Sequence, residues 1–255
     1  FEIDALIAIG GDDTLGVASK LYHQHQVKTV GVPKTMDNDL SLTDYTFGFD
    51  SAANVALENI DRLRDTAKSH ERVIVIEVMG RHAGWVALYS AVASGADYVL
   101  LPEVKVDYDA IANHLKAVKA RGKNWGLVVV SEGAELPIEE GDDSNYEEDA
   151  FGHKFLKDLA VGPTVAKEIK KRTGFEVRDV VLGHIQRGGA PTLFDRVLGT
   201  RVGLKAAELV MAGDFGKMVA LQGTNVVPVP IQDAVGVQKL VSQELYKELS
   251  TTWAK

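Results

Sequence analysis

The chain has no cysteine, which excludes disulfide bonds and Cys-ligated zinc or iron–sulfur sites and favours a cytoplasmic setting. Basic residues are also in deficit, since 28 Lys and Arg stand against 36 Asp and Glu, for a formal net charge of −8. This balance argues against nucleic acid as a partner. No apolar run approaches the ~20 residues that a membrane-spanning helix needs, so we expect no membrane partner either.

What the 255 residues do contain is a regular alternation of short β-branched runs with longer segments of helical periodicity, which predicts an α/β fold with a mostly parallel sheet. The predicted strands lie near 4–9, 27–32, 72–78, 97–101, 125–131, 178–182 and 218–221. The predicted helices lie near 14–25, 50–68, 83–94, 108–121, 156–173, 193–212 and 238–249. Ligands of such folds bind beyond the carboxyl ends of the strands, so the loops there are the candidate site.

One segment, residues 139–149, differs in composition because it holds seven acidic residues around Gly141 and Ser144. A solvated loop is the expectation, because the acidic residues lack the regular spacing of a calcium-binding loop.

The first candidate loop follows a predicted strand and reads GGD (10–12), then Asp13 and Thr14 before a helix. Two glycines let the backbone approach an anion, the helix start offers N–H groups, and an Asp at this edge can hold Mg²⁺. A phosphate and magnesium site is one interpretation. The alternative is that Asp13 or Thr14 is only the N-cap of the helix.

The second loop reads PKTMDND (33–39). If it is extended, Asp37 and Asp39 face one side together and Lys34 supplies a nearby cation. One carboxylate then serves as a general base while the other positions a hydroxyl or a metal. The alternative is a turn whose side chains bond to their own backbone.

The third and fourth loops carry cations. The third contains MGR (79–81) and places Arg81 at or just before a helix start, an unfavourable end for a cation unless it binds an anion or pairs with an acidic side chain. The fourth reads GHIQRGG (183–189), where His184 and Arg187 among glycines suit a phosphorylated sugar. Glu132, after another predicted strand, adds a carboxylate for sugar hydroxyls.

Taken in order, these four motifs resemble the 6-phosphofructokinase family over essentially the whole chain. The resemblance implies a phosphofructokinase-like fold of two three-layer α/β/α domains with mostly parallel sheets and the active site in the interdomain cleft. It also implies phosphoryl transfer to the 1-hydroxyl of fructose 6-phosphate, with Asp37 as general base, Lys34 assisting and Asp12 as the Mg²⁺ ligand. The implied substrate contacts are Thr35, Asp37, Asp39, Met79, Gly80, Arg81, Glu132, His184 and Arg187. Arg72 and Arg178 match arginines that reach a neighbouring subunit's site, which implies a homo-oligomer, either a dimer or a tetramer.

The phosphoryl donor is the finer question. Gly11 and Asp13 are the implied donor contacts, and Asp13 with Lys34 resembles the pyrophosphate-dependent branch, because ATP-using members typically have glycine at the position of Asp13. A carboxylate there fills space and repels the α-phosphate of a nucleotide, whereas pyrophosphate ends before that point. The alternatives are an ATP-dependent 6-phosphofructokinase and a non-catalytic sugar-phosphate-binding regulatory subunit.

The same resemblance predicts the domain organisation. Residues 1–48 and 186–236 form the donor domain, which is expected to be incomplete at its N-terminus because members of the family usually carry a further glycine-rich segment there. Residues 49–185 and 237–255 form the fructose 6-phosphate domain. We expect the 255 residues alone to be inactive and poorly folded, since a sheet without its first strands exposes edges.

Overall fold

The structure is a computed structural model, and it describes residues 2–137, 146–148, 154–156 and 161–253. The strands of the described residues are β1 (Leu6–Gly10), β2 (Thr29–Thr35), β3 (Phe47–Gly48), β4 (Val73–Val78), β5 (Tyr98–Leu100), β6 (Gly126–Ser131), β7 (Tyr146–Glu148), β8 (Lys154–Leu156), β9 (Val177–Val181), β10 (Lys217–Gln222) and β11 (Asn225–Pro230). The helices are α1 (Asp12–His25), α2 (Phe49–Ser69), α3 (Trp85–Ser94), α4 (Tyr108–Ala120), α5 (Val161–Thr173), α6 (Leu193–Ala212), α7 (Ile231–Ala234) and α8 (Gln243–Ser250), and a 3₁₀ helix spans Gly183–Arg187.

The chain divides into two compact units, and it enters each of them twice. The first unit comprises Phe1–Ala52 and Ala190–Lys239, and the second comprises Ala53–Gly189 and Leu240–Lys255. The predicted crossing points, near residues 48, 186 and 237, differ from these boundaries by three or four residues.

The first unit is built on a five-stranded sheet in the order β1-β2-β10-β11, with β3 paired to the end of β2. β1, β2, β3 and β10 run parallel, and β11 returns antiparallel to β10. One face is covered by α1 and α7 through a core that includes Leu15, Met218 and Ile231, and α6 covers the other face. Each fully buried side chain of this size contributes roughly 1.5–3 kcal/mol to folding.

The second unit contains a four-stranded parallel sheet in the order β5-β6-β4-β9. β4 and β6 are buried along their whole length, as their continuous Val and Ile runs predict for central parallel strands. Val73, Val75, Val128 and Val130 share a core with residues of α4 and α5, while α3 packs on β5 and β6. Since β4 lies between β6 and β9, the loops after these three strands leave the sheet at one edge.

Several predicted boundaries are corrected. α3 begins two residues later than predicted, because Gly84 is its N-cap. Residue 156 belongs to β8 rather than to a helix, and α5 starts at Val161. The last predicted helix begins at Gln243 instead of 238, since the Ser242 side chain caps the Leu245 N–H at 3.1 Å.

The predicted acidic loop, residues 139–149, lies outside the described residues except for β7. Those three residues pair antiparallel with β8, a pairing that was not predicted. Within the described ranges, no helix is both long enough and apolar enough to span a membrane.

Candidate active site

The loops after β1 and β2 lie side by side because the two strands are parallel neighbours. Gly10 pairs with Pro33 in the strand register, so the loop after β1 begins beside the last residues of β2. A Cβ placed on Gly11 would lie 3.3 Å from the Thr35 Cβ. The glycine turn therefore lies directly against the start of the carboxylate-bearing loop.

The helix after the glycine turn starts without a side-chain cap. Gly11 is the N-cap of α1, in an extended conformation, and Asp12 and Asp13 form the first turn. The alternative interpretation, in which Asp13 or Thr14 is the N-cap, is wrong. Since no side chain caps this turn, its backbone N–H groups and the helix dipole suit an anion. Asp12 and Asp13 are both half-buried, and Asp12 Oδ1 accepts a hydrogen bond from the Gly236 N–H at 3.1 Å.

Residues 35–39, which we call the carboxylate loop, bend after β2 and form a turn rather than the extended conformation on which the first interpretation depended. Asn38 has a φ of 53°, in the left-handed region. Its amide side chain stabilises this conformation, because Oδ1 accepts the Thr46 N–H at 3.0 Å and Nδ2 donates to the Asp44 carbonyl at 3.4 Å. Asp37 and Asp39 are both buried, at 8% and 7% exposure.

Thr35 orients Asp37 within this loop. The Thr35 Oγ1 donates to Asp37 Oδ2 at 3.3 Å and accepts the Asp37 N–H at 3.2 Å. The alternative interpretation expected side chains to bond to the loop's own backbone. Such a bond is present, because the Thr35 hydroxyl accepts the Asp37 N–H. The same hydroxyl also donates to the Asp37 carboxylate, which the alternative interpretation did not include. Lys34, one residue earlier on β2, has an exposed side chain.

In the second unit, residues 79–82, which we call the arginine loop, follow β4. A Cβ on Gly80 would lie 2.8 Å from the Ala83 carbonyl oxygen, which explains the glycine, and Arg81 has a left-handed φ of 47°. The backbone N–H groups of Gly80 and Arg81 both donate to Glu132 Oε1, at 3.2 and 3.1 Å. A Cβ on Gly133 would collide with the Arg81 carbonyl oxygen, so only glycine allows this approach. Glu132 thus contacts the arginine loop through its carboxylate.

The 3₁₀ helix completes this edge of the sheet. His184 and Arg187 are exposed on it, whereas Gln186 between them is 2% exposed. Gln186 Oε1 accepts the Met79 N–H at 2.8 Å. No role was predicted for Gln186, although its place between two predicted site residues was a signal. Arg81 and His82 are also exposed, and α3 begins only at Trp85, three residues after His82.

A buried carboxylate lies beneath the arginine loop. Glu77 on β4 is 9% exposed and accepts the Gly162 N–H at 2.7 Å. Burial raises the pKa of Glu77, the Gly162 hydrogen bond opposes this, and the negative charges of Glu132 and Asp179 add to the increase.

Arg72 and Arg178 do not join these groups. Arg72 precedes β4 and Arg178 is the second residue of β9, so both lie at the N-terminal end of the sheet, opposite the arginine loop. The two guanidinium groups share the Glu176 carboxylate, at 3.7 and 3.2 Å, and the Arg178 side chain is 64% exposed.

Among the residues that the structure describes, no three or more His, Asp or Glu side chains form a cluster that could hold a metal ion. Asp12 nevertheless fits Mg²⁺, because this ion is usually held by one or two carboxylates together with substrate phosphate oxygens and water. Its half-buried carboxylate at an uncapped helix start adjoins the place where an anion is expected.

Comparisons with known proteins agree with the motifs. A family model described as "Phosphofructokinase" matches residues 1–210. The chain is 53% identical over 249 residues to a pyrophosphate–fructose 6-phosphate 1-phosphotransferase of Streptomyces coelicolor, covering 97% of this chain and 71% of the relative. It is also 47% identical over 253 residues to ATP-dependent 6-phosphofructokinase 2 of the same organism, covering 99% of this chain and 73% of the relative.

A solved structure shares the fold. Phosphofructokinase from Saccharomyces cerevisiae superposes with a TM-score of 0.74 and 30% identity, over 91% of this chain. The chain spans about a third of that protein, 32% of its length. The expected phosphofructokinase-like α/β fold with mostly parallel sheets is therefore confirmed.

Proposed function

Because the chain belongs to the phosphofructokinase family, we propose that it transfers a phosphoryl group from pyrophosphate to the 1-hydroxyl of fructose 6-phosphate, a reversible step of glycolysis. The products are fructose 1,6-bisphosphate and phosphate. The observation that carries the proposal is the adjacency of Gly11 and Thr35, which places an uncapped helix start beside a loop with two buried carboxylates. One feature suits a phosphate donor and the other suits proton abstraction from a hydroxyl.

Asp37 is the general base in this proposal. It accepts the proton of the 1-hydroxyl as that oxygen bonds to the transferred phosphorus, while the bridging P–O bond of pyrophosphate breaks and phosphate leaves. Thr35 orients the Asp37 carboxylate through its hydroxyl. Asp39 contacts the sugar, and Lys34 offsets negative charge on the donor.

The sugar phosphate is held by the second unit. Arg81, His184 and Arg187 are exposed cationic or donor groups at one edge of the sheet, suited to a phosphate. Glu132 accepts two backbone N–H groups through Oε1 and bonds sugar hydroxyls through its remaining acceptor capacity. Met79 and Gly80 contribute the close backbone approach.

Asp12 would hold Mg²⁺ in this site. When bound, the ion neutralises charge on the phosphate oxygens of the donor. The uncapped N–H groups of α1 and the Gly11 turn bind the same anion independently of the metal.

Asp13 supports pyrophosphate as the donor. It is half-buried in the first turn of α1, next to the glycine turn, where its negative charge opposes the additional α-phosphate of a nucleotide. The relatives named for pyrophosphate and those named for ATP are about equally similar, at 53% and 47% identity, so donor choice rests on this residue.

Donor choice is tested by measuring kcat/KM with pyrophosphate and with ATP for the full-length gene product, as wild type and as the variants Asp13→Gly and Asp13→Asn. We expect a preference for pyrophosphate, and at least about a tenfold rise in the ATP-to-pyrophosphate ratio in both variants, which is about 1.4 kcal/mol. Asp13→Asn separates the loss of charge from the loss of volume.

Asp109→Gly is the matched control, because Asp109 occupies the first turn of α4. An unchanged ratio in both Asp13 variants would contradict the role of this residue. A wild-type preference for ATP would favour an ATP-dependent 6-phosphofructokinase, and no turnover with either donor would favour a non-catalytic sugar-phosphate-binding subunit.

The protein is proposed to act in the cytoplasm as a homo-oligomer, a dimer or a tetramer. Arg72 and Arg178 support this, because they lie together at the sheet end opposite the arginine loop and Arg178 is largely exposed. Light scattering gives the oligomeric state. Arg178→Ala should raise KM for fructose 6-phosphate if the arginine completes a neighbour's site, and an unchanged KM would contradict that role.

A further inference from the structure

The segment of residues 236–239 lies outside every sequence motif but contacts both loops of the proposed phosphoryl-transfer site in the first unit. The Gly236 N–H donates to Asp12 Oδ1 at 3.1 Å, and the Val237 carbonyl accepts the Ser41 hydroxyl at 2.6 Å. Gln238 forms an antiparallel bridge with Leu40. Lys239 then donates its backbone N–H to the Asp39 carbonyl at 2.7 Å. Of these four successive residues, the first contacts Asp12 after the glycine turn, and the other three contact the end of the carboxylate loop and the two residues that follow it.

The Lys239 side chain reaches past the carboxylate loop to the turn that follows it. Its ammonium donates to the carbonyl oxygens of Thr43 and Asp44, at 2.9 and 2.8 Å. Burial lowers the pKa of Lys239 to about 8, although the carboxylates of Asp44 and Asp39 act in the opposite direction. A buried cation is costly unless it is hydrogen-bonded, and here its two hydrogen bonds hold the backbone of Thr43 and Asp44 in place.

The Asp44 carbonyl is shared between Lys239 and Asn38. The Asn38 amide donates to the same oxygen at 3.4 Å, and its Oδ1 accepts the Thr46 N–H. Asn38 is the left-handed residue between Asp37 and Asp39, so its conformation sets the direction of both carboxylates. A substitution of Lys239 therefore affects the position of Asp37 in two steps, through the shared Asp44 carbonyl and then through the turn at Asn38.

We infer that Lys239 is a positioning residue for the proposed phosphoryl transfer, and that it holds the carboxylate loop in the turn that orients Asp37. The inference rests on the proposed function. It gives Lys239 no contact with substrate, so the expected effect falls on the chemical step and not on sugar-phosphate binding.

The test compares Lys239→Met and Lys239→Arg with Lys20→Met, a matched control at an exposed lysine of α1 in the same unit. Lys239→Met should lower kcat about 10- to 100-fold, the size of effect seen when a reacting group is misplaced by about 1 Å, while KM for fructose 6-phosphate changes less than about twofold. Lys239→Arg, which keeps a cation with several donors, should recover part of kcat. Lys20→Met should leave both constants unchanged.

A second readout does not depend on activity. Amide hydrogen exchange of a peptide spanning residues 37–46 should speed up in Lys239→Met and not in Lys20→Met, because the turn loses two carbonyl hydrogen bonds. Unchanged exchange would overturn the inference whether or not the protein turns over substrate. Faster exchange with unchanged kcat in an active enzyme would overturn it as well, as would a parallel rise in KM that accounts for the whole loss of kcat/KM.

Ser41→Ala separates positioning from simple loss of stability. This variant removes the hydrogen bond to Val237 but keeps Lys239 and its carbonyl contacts. At matched thermal stability, a fall in kcat confined to the Lys239 variants supports the inference. An equal fall in Ser41→Ala would contradict it.

If the wild-type protein shows no turnover with either donor, the proposed function fails. The hydrogen-exchange result then decides separately whether Lys239 holds the carboxylate loop.

Discussion

The carboxylate loop and the arginine loop share a local backbone geometry but differ in the exposure of their charged side chains. Each follows a buried parallel strand, and each contains a non-glycine residue in the left-handed region, Asn38 with φ 53° and Arg81 with φ 47°. The carboxylate loop buries its charged residues Asp37 and Asp39, whereas the arginine loop exposes Arg81. The strained turn is common to both loops, and burial is what distinguishes them.

The difference follows from what each loop would have to do. A general base needs one fixed direction toward one proton, and a buried carboxylate held by Thr35 has it. A cation that captures a soluble anion gains from exposure, because the anion must reach it from solvent. In both loops a side chain holds the backbone, that of Asn38 from within the carboxylate loop and that of Glu132 from outside the arginine loop.

The strongest test of this comparison is Asp37→Asn, which removes the proposed base at constant size. We expect kcat to fall on the order of 10²- to 10⁴-fold with KM for fructose 6-phosphate within about threefold of wild type, since general base catalysis acts on the chemical step. Steady-state kinetics measure this, and Asp65→Asn on the exposed side of α2 is the control. A variant that kept full kcat would remove Asp37 from the mechanism.

Arg81→Ala should change KM for fructose 6-phosphate rather than kcat, the reverse of the effect expected for Asp37→Asn. Loss of a charged hydrogen-bond donor to a phosphate costs about 1.5–3 kcal/mol, so KM should rise about 10- to 100-fold while kcat changes little. Arg62→Ala, at another exposed arginine, should leave KM unchanged. If kcat fell instead of KM rising, the two loops would not differ in the way that their burial indicates.

The left-handed turn of the carboxylate loop is tested by replacing Asn38 with glycine and with alanine. Asn38→Gly removes the side-chain hydrogen bonds of Asn38 but tolerates a φ of 53°, whereas Asn38→Ala also imposes the cost of that φ. The alanine variant should be less stable than the glycine variant by about 1 kcal/mol in urea unfolding. Equal stabilities would mean that the turn relaxes to another conformation.

The smallest expected effect is a pH dependence beneath the arginine loop. Burial raises the pKa of Glu77 above 4.5, so the native state binds more protons than the unfolded state from about pH 4.5 upward through the native pKa. The stability that Glu77 contributes is fully present below pH 4.5 and is lost as the pH rises through that window. Glu77→Gln should therefore gain stability relative to wild type between pH 4.5 and 7.

Urea unfolding of both proteins across this range measures the difference. A constant difference in unfolding free energy over the whole range would show that Glu77 titrates alike in the native and unfolded states.

The sequence predicted the parts of the fold that depend on local pattern. The Val and Ile runs predicted β4 and β6 as strands, and parallel strands place the following loops at one edge, which is where the structure has Glu132 and the arginine loop. β11 was not predicted because it contains Pro228 and Pro230, and proline is rare in strands other than edge strands. The structure accounts for both prolines, since among the strands of the described residues β11 is an edge strand and pairs with β10 alone.

Within the site, what the sequence could not predict depends on long-range contacts. The sequence left the conformation of the carboxylate loop open, because Asp44 and Thr46, the partners that hold the Asn38 side chain, follow several residues later. Lys239 meets Thr43 across 196 residues, and Gln186 meets Met79 across 107. No periodicity or spacing rule pairs residues so far apart, so these contacts emerge only from the folded chain.

The position of Glu176 has a consequence for ionic strength. One carboxylate lies between the guanidinium groups of Arg72 and Arg178, so this group of three side chains carries two positive charges and one negative charge. An incoming anion meets a net attraction of a single charge, and it competes with Glu176 for both arginines. At a physiological Debye length of about 8 Å, that attraction acts only near contact, so added salt should weaken anion binding here more than at a site with no internal competitor.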